Sequence, residues 1–246
     1  MNPQFLPYII IPLASFIQAI SGFGAGLFAI PILTLFYEPK FIVPPFSLTV
    51  LLLNLVNLTE VREKIRWEII GKIVIGSFVG IPLGVYTLKY LNQEIIKIFI
   101  STLTILLGLF FISGFRFPLR DTRKTFFTAG FISGFLSSSV AMGGPPLIFL
   151  SLSLNYSKEI FRSTLLGTFT IVGITGNIFF FANRLFNSSN IKITIYVFIP
   201  SLIATLIGLK IKNTLSEKKF KKIILYLIIL IGLLGLLKTL LWTNQV

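Results

Sequence analysis

Ser137, Ser138, Ser139, Gly143, Gly144, Pro145 and Pro146 fall within ten residues of an otherwise apolar stretch, Phe131 to Leu150. A continuous membrane helix has no use for that cluster, since Gly costs about 1 kcal/mol and Pro about 3 kcal/mol in a helix interior. Broken backbone at membrane depth is tolerated where it is buried in protein or lines a cavity. The residue types name the chemistry on offer: hydroxyl donors, glycines that let a ligand approach the main chain, and no charge. A weaker copy runs from Gln18 to Pro31, QAISGFGAGLFAIP. The two breaks are expected to face each other and form a site for a small anion.

Each break restarts a helix. The first restart is expected near Ala25 to Leu27 and the second at Pro145, because proline is favoured at the first helical position. A helix N-terminus carries free N–H groups and a partial positive charge, and it binds anions without a basic side chain. The expected substrate-binding residues are therefore Ser21, Gly22, Gly24, Gly26, Ser137, Ser138, Ser139, Gly143, Gly144 and Pro145. Gln18, Asn54, Asn57, Thr168, Thr175 and Asn177 form a second line of polar candidates, whose other use is to hydrogen-bond a neighbouring helix.

The elements that must hold these breaks are membrane helices. The 246 residues are 54% hydrophobic and 12% charged, with a mean hydropathy of +0.91, and runs of about twenty apolar residues cross a bilayer core of roughly 30 Å. The fold class is an all-α polytopic membrane protein. Full spans are expected at Phe41–Val61, Trp67–Lys89, Ile95–Phe115, Phe161–Ala182, Ile193–Leu209 and Ile223–Leu241. The broken segments, Phe5–Tyr37 and Phe126–Tyr156, are too long for one ordinary span. Gly76, Gly80 and Gly84 recur every fourth residue on one helix face, the spacing of close helix–helix packing. The first apolar run has no basic region before it and no small-residue cleavage site, so no cleaved signal peptide is expected.

The order of elements restarts near residue 120. Gly24 matches Gly143, Tyr37 matches Tyr156 and Thr49 matches Thr168 at an offset of 119. The expected organisation is a first membrane repeat over 1–115, a basic cytoplasmic linker over 116–124 and a second repeat over 125–246. If each broken segment crossed the membrane, the 22 basic residues would divide 11 to 11 between the two sides. If each is a re-entrant hairpin they divide 16 to 6, and positive residues accumulate on the cytoplasmic side. The hairpin arrangement gives each half a hairpin plus three transmembrane helices. An odd number of spans inverts one half relative to the other and leaves both termini outside the cell membrane. Inverted repeats with broken elements near the midplane are a transporter architecture.

Charge and composition exclude several classes. The net charge of +14 sits between apolar runs as topology signals and headgroup contacts, so the lipid bilayer and not nucleic acid is the expected partner. The chain has no Cys and no His, which excludes disulfides, thiol chemistry and His-ligated metal. The eight acidic residues all lie in loops or at span ends; a proton or ion relay would place ionisable groups inside the spans. No cofactor, metal or catalytic constellation is indicated, and an enzyme is not expected. A cation channel would want carboxylates or carbonyl rings facing a pore. A non-transporting anchor for a soluble partner would use the basic cytoplasmic face.

The motifs SGFGAGLFAIPIL at Ser21–Leu33 and SGFLSSSVAMGGPPLIFL at Ser133–Leu150 resemble those of the TauE/SafE sulfite exporters, and the resemblance covers essentially the whole chain. That family's second motif is usually of the form GxGGGP; here Ser139 and Ala141 stand where glycine is common. The resemblance implies a small permease of two related halves, carrying sulfite, sulfoacetate or related sulfur-containing anions, often outwards. Thiosulfate or a carboxylate is the alternative small anion.

Overall fold

The computed structural model describes residues 5–61, 65–113, 119–211, 226 and 229–238. Its helices are α1 (Leu6–Ser21), α2 (Ala25–Leu33), α3 (Pro39–Val61), α4 (Trp67–Tyr90), α5 (Gln93–Ser113), α6 (Arg123–Val140), α7 (Gly144–Ser153), α8 (Lys158–Ala182) and α9 (Ser188–Ile211). A further apolar helix, α10, covers Ile229–Lys238. There is no strand among the described residues. Five helices, α3, α4, α5, α8 and α9, are long and apolar enough to cross a membrane. They are five of the six expected spans. The sixth, Ile223–Leu241, lies partly outside the described residues, as do the 62–64 loop, residues 116–118 of the linker and the basic positions from 212 to 222.

Both over-long segments break where their small residues cluster. α1 stops at Ser21 and α2 starts at Ala25, while α6 stops at Val140 and α7 starts at Gly144. These boundaries lie 119 residues apart, as do the starts of α3 and α8. The α7 start is one residue earlier than expected, with Pro145 following Gly144. α9 departs further from expectation, beginning at Ser188 and not Ile193. Its Asn187 side-chain carbonyl accepts the backbone N–H groups of Ser189 and Asn190 at 3.0 and 2.8 Å, and such a cap extends a helix beyond its apolar stretch. Thr122 and Ser157 open α6 and α8 in the same way, accepting from the N–H groups of Thr125 and Ile160.

Proline inside a helix removes a donor and orphans the carbonyl four residues earlier. In α3, Pro45 leaves the carbonyl of Phe41 without its helical donor, and the Asn190 amide of α9 reaches it at 3.4 Å. The carbonyl of Pro45 itself accepts from the hydroxyls of Thr49 and Thr194, each at 2.9 Å. A defect in one helix is thereby repaired from another, which fixes α9 along α3.

The heaviest packing joins helices from different halves of the chain: α4 with α6, and α1 with α9. α4 and α6 run in the same direction. A Cβ on Gly76 would lie 2.0 Å from the carbonyl oxygen of Phe127, and one on Gly80 2.2 Å from that of Phe131. Gly130 and Gly134 press back against the backbone of Ile73 and Ser77, and the Ser77 hydroxyl donates to the Gly130 carbonyl at 3.0 Å. The glycine stripe is therefore a seam where two backbones touch. α1 and α9 also run side by side in one direction, with Tyr8 against Tyr196 near their starts and Phe16 and Ala19 against Gly208 near their ends. α3 and α8 cross in opposite directions: the Asn177 amide donates to the Ser47 hydroxyl at 3.2 Å, and Leu51 packs on Gly173. Outward faces of α4 and α9, among them Ile75, Phe78, Leu83, Ile195, Ile199 and Ile203, are exposed and apolar, as a lipid-facing surface requires.

The seam makes a direct prediction. Gly80→Ala forces a methyl into a backbone carbonyl and is expected to destabilise the fold by about 2–3 kcal/mol. Gly71→Ala, on the same helix with nothing within 4 Å of its Cβ position, is expected to be neutral. Thermal unfolding of the two purified variants, followed by size-exclusion chromatography, measures the difference.

Candidate anion-binding site

A cavity of about 80 Å³ lies between the two breaks. A single water needs about 10–15 Å³ on this scale, so the space suits a small anion with a few waters. Gly24, Ala25, Gly26 and Leu27 of the first break line it, as do Ala141, Met142, Gly143 and Gly144 of the second. The breaks touch directly: a Cβ on Gly26 would sit 1.8 Å from the Ala141 carbonyl oxygen. α3 and α8 supply the walls, with Ser47, Asn54, Phe169 and Phe180 among them.

The two helix ends at each break are treated differently. α1 is closed: Gly22, in the left-handed region at φ 83, donates its N–H to the Gln18 carbonyl at 2.7 Å, and the Ser21 hydroxyl donates to Ile17. α6 closes likewise, with Ala141 at φ 51 and the N–H groups of Ala141 and Met142 returned to Ser137 and Leu136. Ala141 thus holds a backbone conformation that glycine adopts more readily, at a position where the resembling family commonly has glycine. α2 has no side-chain cap, and its first helical bond is Phe28 N–H to the Gly24 carbonyl. The N–H groups of Gly24 to Leu27 therefore stand at the cavity with the positive end of the α2 dipole.

α7 opens on the same cavity with a poorer set. Its second and third positions are Pro145 and Pro146, which have no N–H. Of its opening four residues only Gly143 and Gly144 can donate, and the Gly143 carbonyl is held by the Ser133 hydroxyl at 2.7 Å.

One side chain completes the donor set. The Gln18 amide N–H donates to the Asn54 side-chain oxygen at 2.9 Å, and both residues line the cavity. Asn54 is only 1% exposed, and its Nδ2 has no partner. A buried donor left unpaired costs about 1–3 kcal/mol, so this amide has unspent hydrogen-bonding capacity beside the cavity.

Of the other expected residues, Ser137 and Ser138 line the cavity. The Ser138 hydroxyl lies 2.8 Å from the Gly134 carbonyl and 3.0 Å from that of Ile81, so its proton is already engaged. Ser139 is buried with its hydroxyl donated to Phe135 at 2.7 Å. Ser21, Gly22, Ser139 and Pro145 lie behind the lining, where they shape the breaks. Asn57, Thr168, Thr175 and Asn177 also stand outside it. Asn177 meets the cavity through Ser47, and Thr175 donates to Ile171 at 2.9 Å. Ser47 and the aromatic walls are additions to the expected set; Ser47 is seven positions before Asn54, on the same face of α3, and that spacing is the signal the sequence carries for it. Tyr37 and Tyr156, the repeat-matched pair beyond α2 and α7, have phenol pKa values raised by burial, and neither lines the cavity.

A donor-lined cavity among helices long and apolar enough to cross a membrane defines a class, a multi-pass membrane protein. The chain belongs to the sulfite exporter TauE/SafE family, whose model matches residues 8–234, and that membership makes it a transporter and not an enzyme. It is similar to the probable sulfite/organosulfonate exporter TauE of Cupriavidus necator, 27% identical over an alignment of 178 residues, with 67% of each chain covered. No solved structure matches.

Proposed function

We propose that this protein is a secondary transporter of a small sulfur-containing anion such as sulfite, held between the two breaks by the α2 N-terminus and the Asn54 amide. The observation that carries the reading is a cavity lined by an uncapped helix N-terminus and by Asn54, whose buried Nδ2 has no partner. The name of the Cupriavidus necator relative supports sulfite or an organosulfonate over thiosulfate or a carboxylate.

The same reading includes the architecture. The halves, 1–115 and 125–246, are inverted repeats, each a re-entrant hairpin followed by three spans. The antiparallel crossing of the matched helices α3 and α8 supports inversion. So does the direction of α1, which follows α9, against that of α6, which follows α4. Re-entry is supported by the start of α3, where the Lys40 N–H donates to Gln93 beside the α4 end, while Phe23 at the first break meets Phe111 and Phe161 at the opposite end. The end that holds Arg66, Arg120, Arg123 and Arg162 is the cytoplasmic one by its positive charge, which puts both termini outside the cell membrane.

Sulfite flux in proteoliposomes tests the function. Protein-dependent flux is expected, and Ser137→Leu, whose side chain would fill the space beside Gly143, is expected to lower it at least about tenfold without preventing membrane insertion. Flux no greater than in empty liposomes would refute the transporter reading.

A further inference from the structure

The polar groups that line the cavity are the side chains of Gln18, Ser47, Asn54, Ser137 and Ser138 and the main chain of the two breaks. All of them are neutral. Taken element by element, α1, α2, α3, α6, α7 and α8 present no titratable side chain to the cavity among the described residues. Arg162 of α8 rests its stem 3.8 Å from the Cβ position of Gly22 and is not among the lining residues. Most of the remaining wall is aromatic or aliphatic, with Phe46, Val172 and Phe180 buried.

We infer that the cavity selects singly charged oxyanions, hydrogensulfite and sulfonates, over doubly charged ones such as sulfite dianion and sulfate. This rests on the anion-transporter reading above and specifies the substrate class of that site. The Born penalty for taking an ion out of water grows with the square of its charge, so a dianion gives up roughly four times what a monoanion does. Attraction to neutral donors grows only in proportion to the charge. A helix N-terminus supplies about half an elementary charge, enough to match part of one negative charge and far from two. A site built for dianions brings a cation to compensate; here the compensation is dipolar. The apolar part of the lining also suits a headgroup carrying a small apolar substituent.

Direct binding to the purified full-length protein separates the possibilities, with methanesulfonate, sulfate and sulfite as probes across neutral pH. Methanesulfonate is a monoanion throughout, sulfate a dianion throughout, and sulfite gains its second charge close to neutrality. Methanesulfonate is expected to bind with unchanged affinity across the range and sulfate at least about tenfold more weakly, a difference of some 1.4 kcal/mol. The apparent sulfite affinity is expected to fall as pH rises through its second ionisation. Sulfate binding as tight as methanesulfonate, or sulfite affinity that is flat or rises with pH, would overturn the inference while leaving an anion transporter in place. Methanesulfonate affinity changing in parallel with sulfite would also overturn it, because a protein group would then be titrating. Failure of all three probes to bind would remove the functional reading itself.

Discussion

Asn54→Asp is expected to abolish anion binding, with a loss of more than about 100-fold in affinity. A hydrogen bond to a charged group contributes about 1.5–3 kcal/mol, so Asn54→Leu alone should cost about 10- to 100-fold. The aspartate removes the same donor and adds a like charge at close range in a site that water screens poorly. Burial will raise the pKa of the introduced carboxyl, so binding should partly return as pH falls and the group becomes neutral. Gln18→Glu tests the same arrangement from behind. A carboxylate there can only accept, which draws the Asn54 N–H groups towards it and turns the side-chain oxygen into the cavity. Isothermal titration with methanesulfonate, on variants that retain a single size-exclusion peak, distinguishes these effects. Wild-type affinity in Asn54→Asp would show that the anion sits elsewhere.

The second large effect is expected at Gly26. Its Cβ position lies 1.8 Å from one backbone atom of the opposite break, the Ala141 oxygen, and 2.9 Å from the Ala141 carbonyl carbon. No rotamer change relieves a clash with main chain, so Gly26→Ala must drive the two breaks apart. A cost of about 3 kcal/mol or more in stability follows from such overpacking, with transport lost because the walls of the cavity separate. Gly144→Ala is the control, since its added methyl meets only the Phe169 ring at 3.7 Å and Ile148 at 3.8 Å. That variant should fold as the wild type does. Equal thermal stability of the two variants would contradict the close approach of the breaks.

Local chemistry makes the breaks legible in the sequence, and tertiary docking hides the rest. Glycine and proline inside apolar runs are costly in any context, so Ser21–Gly26 and Ser137–Pro146 are conspicuous from residue types alone. The ranking of the polar residues is not. Three consecutive serines turn 100° apart on a helix, so 137, 138 and 139 cannot share one environment. Which of them meets the cavity depends on how α6 rotates against the glycine seam of α4. Gln18 and Asn54, 36 residues apart, become partners only because α1 docks beside α3. The start of α9 is obscured for a different reason: a polar cap at Asn187 outweighs the apolar periodicity that begins at Ile193. The poverty of donors at α7 is written in Pro145 and Pro146, whose missing N–H groups matter more than their helix-starting geometry.

The backbone seam between α4 and α6 has a mechanical meaning. These helices come from the first and second halves of the chain, yet carbonyl oxygens lie against glycine Cα atoms along successive turns of their contact. Two surfaces so closely meshed cannot slide without lifting apart. Movement of the first half of the chain as a body against the second would have to open this seam. Opening of the cavity is therefore expected to occur between two closely packed pairs, α4 with α6 and α1 with α9. Cysteines introduced across the α4–α6 seam and crosslinked should leave transport intact, while a crosslink from α3 to α8 should lock it.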